Sequence, residues 1–159
     1  MTALTPPAIR KTPTRSIILL AAAGFASQAH SVSRRDGLTL RGAFVAAAVR
    51  CAPPDNRPTP AEFERCRPFL VREIEALPSL AAILALGEFA WRASLAALRD
   101  AGRPIPRPIP RFSHGARVPL AGGVVLHGSY HVSRQNTNTG RLTPAMLDRV
   151  LVRIGREIG

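Results

Sequence analysis

The 159 residues, 46% of them hydrophobic, are enough for one globular domain with a core and too few to favour two. Lysine and arginine number 22 against 10 aspartates and glutamates, so the charge favours a polyanionic partner. The alternative is a basic but inert surface, because arginine replaces lysine in proteins of GC-rich genomes. Two cysteines exclude a disulfide framework and fit a reduced cytoplasm. No apolar run reaches the roughly 20 residues of a membrane span, so we expect no membrane segment.

The first residues of the chain predict two different structures. Residues 1–15 carry three prolines and no periodicity, which is typical of a loose arm, and the domain is expected over 16–159. Basic residues before the apolar stretch Ile17–Ala26 resemble a secretory signal. We instead predict a short buried helix over 16–24, because the apolar residues are followed by alanines and then by Gly24.

A buried strand and a stiff turn are predicted next. The run Gly42–Val49 is small and apolar on both faces, which favours a buried strand of a parallel sheet. Open α/β sheets build their sites at the carboxyl ends of such strands. Pro53 and Pro54 stiffen the turn that follows, so Asn56 is held where its amide could bind a base or a water. The alternative is that Asn56 only caps the turn.

A helix is predicted from Thr59 to about Leu77. Thr59 is its cap, proline is at the first position, and Glu62 closes a capping box. Spacings of three and four place Cys66 on the inner face. Cys51 and Cys66 could converge, but a zinc site or a cubane cluster needs four ligands, so the spacing by itself favours two buried thiols.

The second half of the chain alternates strands and helices. Leu80–Leu86, Gly87 and a helix over 88–101 make a βα unit, and the prolines of 102–111 force an extended connection over the surface. Val118 and Val124–Leu126 form a third strand-like element. A last helix begins at the cap Thr143, with an apolar stripe of Met146, Val150, Leu151 and Ile154. This order predicts a mainly parallel α/β sandwich.

The polar segment Ser129–Arg141 lies between the last strand and the last helix. His131, near its start, could stabilise negative charge that develops on a pyrimidine carbonyl. The amides and arginines after it could bind phosphates or fill a gap in a base stack. The alternative is a solvated loop with an incidental histidine.

Two of these segments carry a resemblance to a known family. Arg50–Thr59, with Cys66 after it, resembles the second conserved region of the iron–sulfur uracil-DNA glycosylases of family 5, and Ser129–Thr143 resembles their last motif. Further similar stretches are Ser31–Ser33, Leu84–Gly87 and Pro110–Gly115, so the resemblance covers about residues 16–157.

The resemblance implies a fold and an activity. The fold is a three-layer α/β/α sandwich, and the activity is hydrolysis of the N-glycosidic bond of uracil or a related deaminated base, flipped out of double-stranded or single-stranded DNA. Asn56 would position the base or the attacking water, and His131 would stabilise charge on the uracil carbonyl. The implied DNA-binding residues are Arg134, Gln135, Asn136, Thr139 and Arg141.

The resemblance also implies a cofactor and an activity on several different bases. Cys51 and Cys66 would be two of the four ligands of a structural 4Fe-4S cluster. Val132 replaces the proline that usually follows the histidine, which loosens the loop. Ala47 lies where related enzymes place a uracil-reading asparagine, which implies tolerance of several bases.

The start of the chain departs from the family pattern. Family members begin with a CxxC pair and a glycine-rich motif that carries an acidic residue, and neither is present in this sequence. We therefore expect a sheet without its first strand and a truncated, inactive chain, unless a separately encoded N-terminal fragment completes an otherwise monomeric enzyme. The alternatives are a non-catalytic DNA-binding remnant and a non-functional fragment.

Overall fold

The computed structural model describes residues 20–33, 35–50 and 58–159. These residues form two compact units. One unit is built from 20–45 and 132–157 and contains the helices α3 (Arg134–Asn138) and α4 (Pro144–Ile158). The other is built from the described part of 46–131 and contains a sheet and the helices α1 (Pro60–Glu75) and α2 (Glu88–Asp100).

The sheet of the described residues is small and mixed, and not mainly parallel as predicted. It consists of β1 (Ala82–Leu86), β2 (Arg117–Pro119) and β3 (Val125–Ser129), with β3 in the middle. β1 runs parallel to β3, and β2 runs antiparallel to it. The predicted βα unit is confirmed, but the third strand-like element is two strands. A link as short as 120–124 can only reverse the chain, so the pair that it joins is antiparallel.

Helix α1 begins where its capping residues predict. The Thr59 hydroxyl accepts the backbone N–H of Glu62, and the Glu62 carboxylate accepts the backbone N–H of Thr59 in return. The inward orientation of Cys66 is confirmed, since Cys66 and Ile74 are the buried residues of the helix. The helix ends at Glu75, earlier than predicted, and Pro78 follows soon after, where a helix cannot easily continue.

Two apolar clusters hold the sheet unit together. Helices α1 and α2 share one cluster around Ile74 and Leu98, and α2 shares the other with the sheet around Trp91 and Leu126. Ile105, from the proline-rich segment 102–111, packs against both clusters. The prediction that this segment is not helical is confirmed, but it contributes a side chain to the core instead of only crossing the surface.

The predicted strand over 42–49 is wrong. Residues 42–49 have no strand pairing, and Phe44 and Val45 are 36% and 42% exposed. Four of the eight residues are alanines, which have little preference for strands, and an apolar run cannot form a strand without a neighbour that pairs with it. The predicted end of the first helix is confirmed: the helical residues 20–22 stop before Gly24, whose φ is 83°.

Helix α4 also begins at its predicted cap. The Thr143 hydroxyl accepts the backbone N–H of Met146, and Pro144 occupies the first helical position. The buried face consists of Leu147, Val150, Leu151 and Ile154, so Leu147 takes the place that the predicted stripe gave to Met146. None of the helices in the described residues is long and apolar enough to cross a bilayer.

Candidate functional site

His131 follows the end of the central strand, beside the first residue of a helix. The carbonyl of Ser129, the last residue of β3, accepts the backbone N–H of Gly87 at 2.7 Å. Gly87 precedes α2 with φ 93° and ψ 167°, a conformation open essentially to glycine. A Cβ at this position would also lie 3.3 Å from the Cβ of His131. The strand end and the start of α2 therefore fix where His131 lies.

The surroundings of His131 favour its neutral form. The residue is exposed at its surface, yet the atoms packed around it displace enough water to lower the pKa of the imidazole from its ordinary value. At neutral pH the ring therefore offers one N–H donor and one acceptor nitrogen.

The residues before His131 are bound to a segment that the sequence did not single out as functional. Nδ1 of His114 accepts the backbone N–H of Tyr130 at 3.3 Å, and the two rings stack with centroids 5.1 Å apart. Phe112 meets Tyr130 edge-on at 6.3 Å and meets Trp91 at 6.0 Å. The only sequence signal was the similarity of Pro110–Gly115 to a known family, which suggested no role for His114.

The polar segment after His131 contains a helix where a loop was predicted. The hydroxyl of Ser133 caps α3 by accepting the backbone N–H of Asn136 at 3.2 Å. The hydroxyl of Thr139 donates to the carbonyl of Gln135 at 2.7 Å, and Gly140 then adopts φ 72°. Of the predicted DNA-binding residues, Asn136 is half-buried and the others are exposed, namely Arg134, Gln135, Thr139 and Arg141. Their roles stay predictions.

Two of the predicted site residues, Asn56 and Cys51, lie outside the described residues. The prediction that Asn56 and His131 meet around one base therefore stays a prediction.

Arg50, just before this stretch, is described, and its side chain contacts two residues of α1. Its guanidinium pairs with Glu73 on α1 and lies over the ring of Phe69, 4.5 Å from the centroid.

The cysteines do not complete a cluster site. Cys66 is buried on α1, and its Sγ accepts the backbone N–H of Arg50 at 3.4 Å. A cubane cluster is commonly held by four cysteines, and this sequence contains two. In the described part of the chain, no group of three or more histidines, cysteines and carboxylates is arranged to hold a metal ion. These residues by themselves do not fit a 4Fe-4S cluster.

The comparison with known protein families identifies the superfamily of this chain. The family model described as "Uracil DNA glycosylase superfamily" matches residues 15–154, and the chain belongs to this superfamily. The chain is 46% identical over 143 residues to the type-5 uracil-DNA glycosylase of Thermus thermophilus. It is 46% identical over 129 residues to that of Mycobacterium bovis, and 43% identical over 136 residues to that of Pyrobaculum aerophilum.

The similarity to type-5 enzymes covers most of this chain and less of each relative. The aligned residues are 89%, 80% and 86% of this chain for the three relatives, in the same order. They are 62%, 47% and 56% of the relatives' own length. The resemblance inferred from the motifs is therefore confirmed, and the chain spans about half to three-fifths of the length of these relatives.

Proposed function

We propose that this chain hydrolyses the N-glycosidic bond of uracil, or of a related deaminated base, in double-stranded or single-stranded DNA. The observation that carries the proposal is the family match over residues 15–154, within which a histidine of lowered pKa follows the central strand. The printed names of the type-5 relatives state this class of activity for those proteins.

His131 would act on the base as it leaves. The bond between C1′ of the deoxyribose and N1 of uracil breaks, and its electron pair goes to the base, where negative charge develops on a carbonyl oxygen. A neutral imidazole placed at this oxygen donates its N–H and stabilises the charge. Water adds to C1′ and gives its proton to the solvent, and the uracil anion takes up a proton in turn, so that free uracil and an abasic site remain. Asn56 would position the base or this water.

The segment after His131 would hold the DNA while the base is flipped out. The exposed Arg134 and Arg141 are suited to phosphate oxygens, and the exposed Gln135, with Asn136 and Thr139 close by in sequence, can hydrogen-bond in the gap that a flipped base leaves. The short helix α3 supports this proposal, because the cap and the hydrogen bonds at its end hold these residues in one conformation.

The architecture is part of the proposal, and a cluster is not. We infer the three-layer α/β/α arrangement over 16–159 and a monomer from the family alone. Since two cysteines do not complete a cluster, no step assigned to His131 or Asn56 involves iron. Assembly of a cluster on Cys51 and Cys66 is tested by the visible absorbance and iron content of the protein as purified.

The test is base release from a defined DNA duplex. The purified 159-residue protein is incubated in excess with a duplex that contains one uracil, and alkali then converts each abasic site into a strand break. Breaks at uracil and none in a matched thymine duplex would support the proposed activity and would overturn the expectation, drawn from the sequence, of an inactive chain. His131→Ala should lower the single-turnover rate by about 100-fold or more, as loss of a preorganised donor does. His30→Ala, at an exposed histidine of the other unit, is the matched control.

The pH dependence is a further readout of the same assay. Because the pKa of His131 is lowered, the neutral form persists to a pH below the ordinary range of histidine. The rate should therefore stay constant through that range and fall only at lower pH. The proposal is wrong if protein with native tryptophan emission makes no breaks at uracil above those in the thymine duplex.

The second candidate function is DNA binding without base release. The excess of 22 basic over 10 acidic residues and the exposed arginines beside α3 favour it. Retention on DNA that weakens steeply with salt, together with no break at uracil, would support this candidate against the enzyme.

A further inference from the structure

The backbone just before His131 is hydrogen-bonded to the side chain of His114. Nδ1 of His114 accepts the backbone N–H of Tyr130 at 3.3 Å, and the hydroxyl of Ser129 lies 3.4 Å from the same nitrogen. The single hydrogen of that hydroxyl is donated to the carbonyl of Tyr130 at 3.2 Å. Since Nδ1 accepts a backbone N–H, the hydrogen of the His114 ring is on Nε2. One imidazole nitrogen thus holds the backbone of Tyr130, the residue that leads into His131.

The rings of the same residues add a second constraint. His114 stacks on Tyr130 with an interplanar angle of 23°, and Phe112 meets Tyr130 edge-on at 63°. Phe112 is fixed in turn against Trp91, whose indole N–H donates to the carbonyl of Pro110 at 2.9 Å. The ring of Tyr130 is therefore held by two aromatic neighbours, and rotation of its backbone would break both contacts.

The segment that carries His114 is attached to β3 by contacts that do not involve the His114 ring. The backbone N–H of Gly115 donates to the carbonyl of Gly128 at 2.8 Å, and the N–H of Gly128 donates to the carbonyl of Ala116 at 3.0 Å. The carbonyl of Ser113 lies so close to Gly128 that an added Cβ would be 2.6 Å from it. Changing the ring alone should therefore leave the path of this segment intact.

We propose that His114 is a positioning residue for His131, which rests on the function proposed above for His131. His114 touches neither base nor sugar in this proposal. Its Nδ1 fixes the backbone of Tyr130, and this fixes the next residue, His131, against Gly87, where a Cβ would lie only 3.3 Å from the Cβ of His131. Loss of the acceptor frees the Tyr130 N–H to turn toward water and moves the imidazole away from the start of α2.

Two substitutions separate the effect of the hydrogen-bond acceptor Nδ1 of His114 from the effect of its aromatic ring. His114→Asn keeps an acceptor oxygen near the place of Nδ1 and loses most of the stacking surface. His114→Phe keeps the ring and loses the acceptor. Both proteins are first compared with the original by the emission of Trp91, the single tryptophan, which is 1% exposed and in contact with Phe112.

The first readout needs no activity. The pKa of His131 is measured by NMR in the original protein and in both variants. In the original, and in His114→Asn, we expect it below the ordinary range of histidine. In His114→Phe it should rise toward the ordinary value, because His131 is no longer held where its surroundings exclude water. An unchanged pKa in His114→Phe, with native Trp91 emission, would overturn the proposal.

The second readout is the rate of uracil release. Displacement of a reacting group by about 1 Å can cost about 100-fold, so His114→Phe should lower the single-turnover rate by about 10- to 100-fold. The DNA concentration at half-maximal rate should hardly change, and His114→Asn should recover most of the rate. Equal losses in the two variants would contradict positioning through Nδ1. If the original protein releases no uracil, the proposed function is wrong. The pKa of His131 in the two variants still tests whether Nδ1 of His114 positions His131.

Discussion

Among the described glycines, Gly128, in the middle of β3, has the least room for a side chain. A Cβ at this position would lie 2.6 Å from the carbonyl oxygen of Ser113. Cβ atoms in proteins essentially never come closer than 3.0 Å to another heavy atom. The added Cβ would also lie 3.3 Å from the indole of Trp91 and 3.4 Å from the Cβ of Ala116. The closest atom belongs to the backbone, so it cannot move away as the end of a flexible side chain would.

We therefore predict that Gly128→Ala strongly destabilises the sheet unit. Forcing a methyl group into a closely packed site costs about 1 to 3 kcal/mol. Displacing the segment also weakens the hydrogen bond from Gly115 to Gly128, which adds about 1 kcal/mol. A total of about 2 to 4 kcal/mol is a large part of the about 5 to 15 kcal/mol that stabilises an ordinary domain.

The assay is urea unfolding followed by tryptophan emission. Trp91 is the single tryptophan, is buried, and would touch the new methyl group, so it reports directly on this site. The urea midpoint should fall by about 1 to 2 M. Gly155→Ala is the matched control, followed by far-UV ellipticity: this glycine lies in α4 with nothing within 4 Å of its Cβ, and the substitution should stabilise by about 0.5 to 1 kcal/mol.

One outcome would refute the reasoning about Gly128. If Gly128→Ala unfolds at the original urea concentration with unchanged emission, then the segment around Ser113 does not lie against β3 as described. In that case the contacts of His114 with Tyr130 would also lose their support, because the same segment carries them.

Three more predictions concern single residues. Thr59→Ala should cost about 1 kcal/mol in urea unfolding because it removes the capping box with Glu62, and Thr59→Ser should recover most of it; equal losses would argue against the cap. Backbone N–H groups, that of Leu38 first among them, lower the pKa of Asp36 to about 2, so its carboxyl resonance should titrate near that pH in NMR. Because this pKa lies below the ordinary carboxyl value, the stability that Asp36 contributes is present above that value and is lost as the pH falls through about 2. An ordinary titration would show that the carboxylate does not accept the backbone N–H groups of Val32, Ser33 and Leu38. Leu98→Ala, at a residue with 0% exposure, should cost about 2 to 5 kcal/mol in the same unfolding assay, and a loss below 1 kcal/mol would show that the packing between α1 and α2 is loose.

The sequence by itself determined where the helices α1 and α4 begin. Thr59 and Glu62 interact across three residues, and Thr143 accepts a hydrogen bond from a backbone group three residues later. Such contacts form within one turn of chain, so the residues that make them are close in the sequence and can be recognised there. The βα unit around Gly87 was predictable for the same reason, because an apolar run, a glycine and an amphipathic stretch follow one another directly.

The motifs of the candidate site were also visible in the sequence, and the family assignment that they suggested is confirmed. His131 was predicted as a functional residue from its place in a polar segment after a strand. Its lowered pKa was not predictable, since that depends on what packs around the imidazole. The roles of Asn56 and of the residues around α3 stay predictions.

Tertiary structure decided which segments pair. An apolar, alanine-rich run at 42–49 looked like a strand, but a strand exists only where another chain segment offers its backbone groups, and the sequence does not say which segment does. The contacts of His114 with Tyr130 and of Ser113 with Gly128 each join residues about 15 positions apart along the chain. Interactions between residues close in the sequence fix where the helices α1 and α4 begin. The segments that pack against β3 fix the place of His131, because only the folded chain brings these segments together.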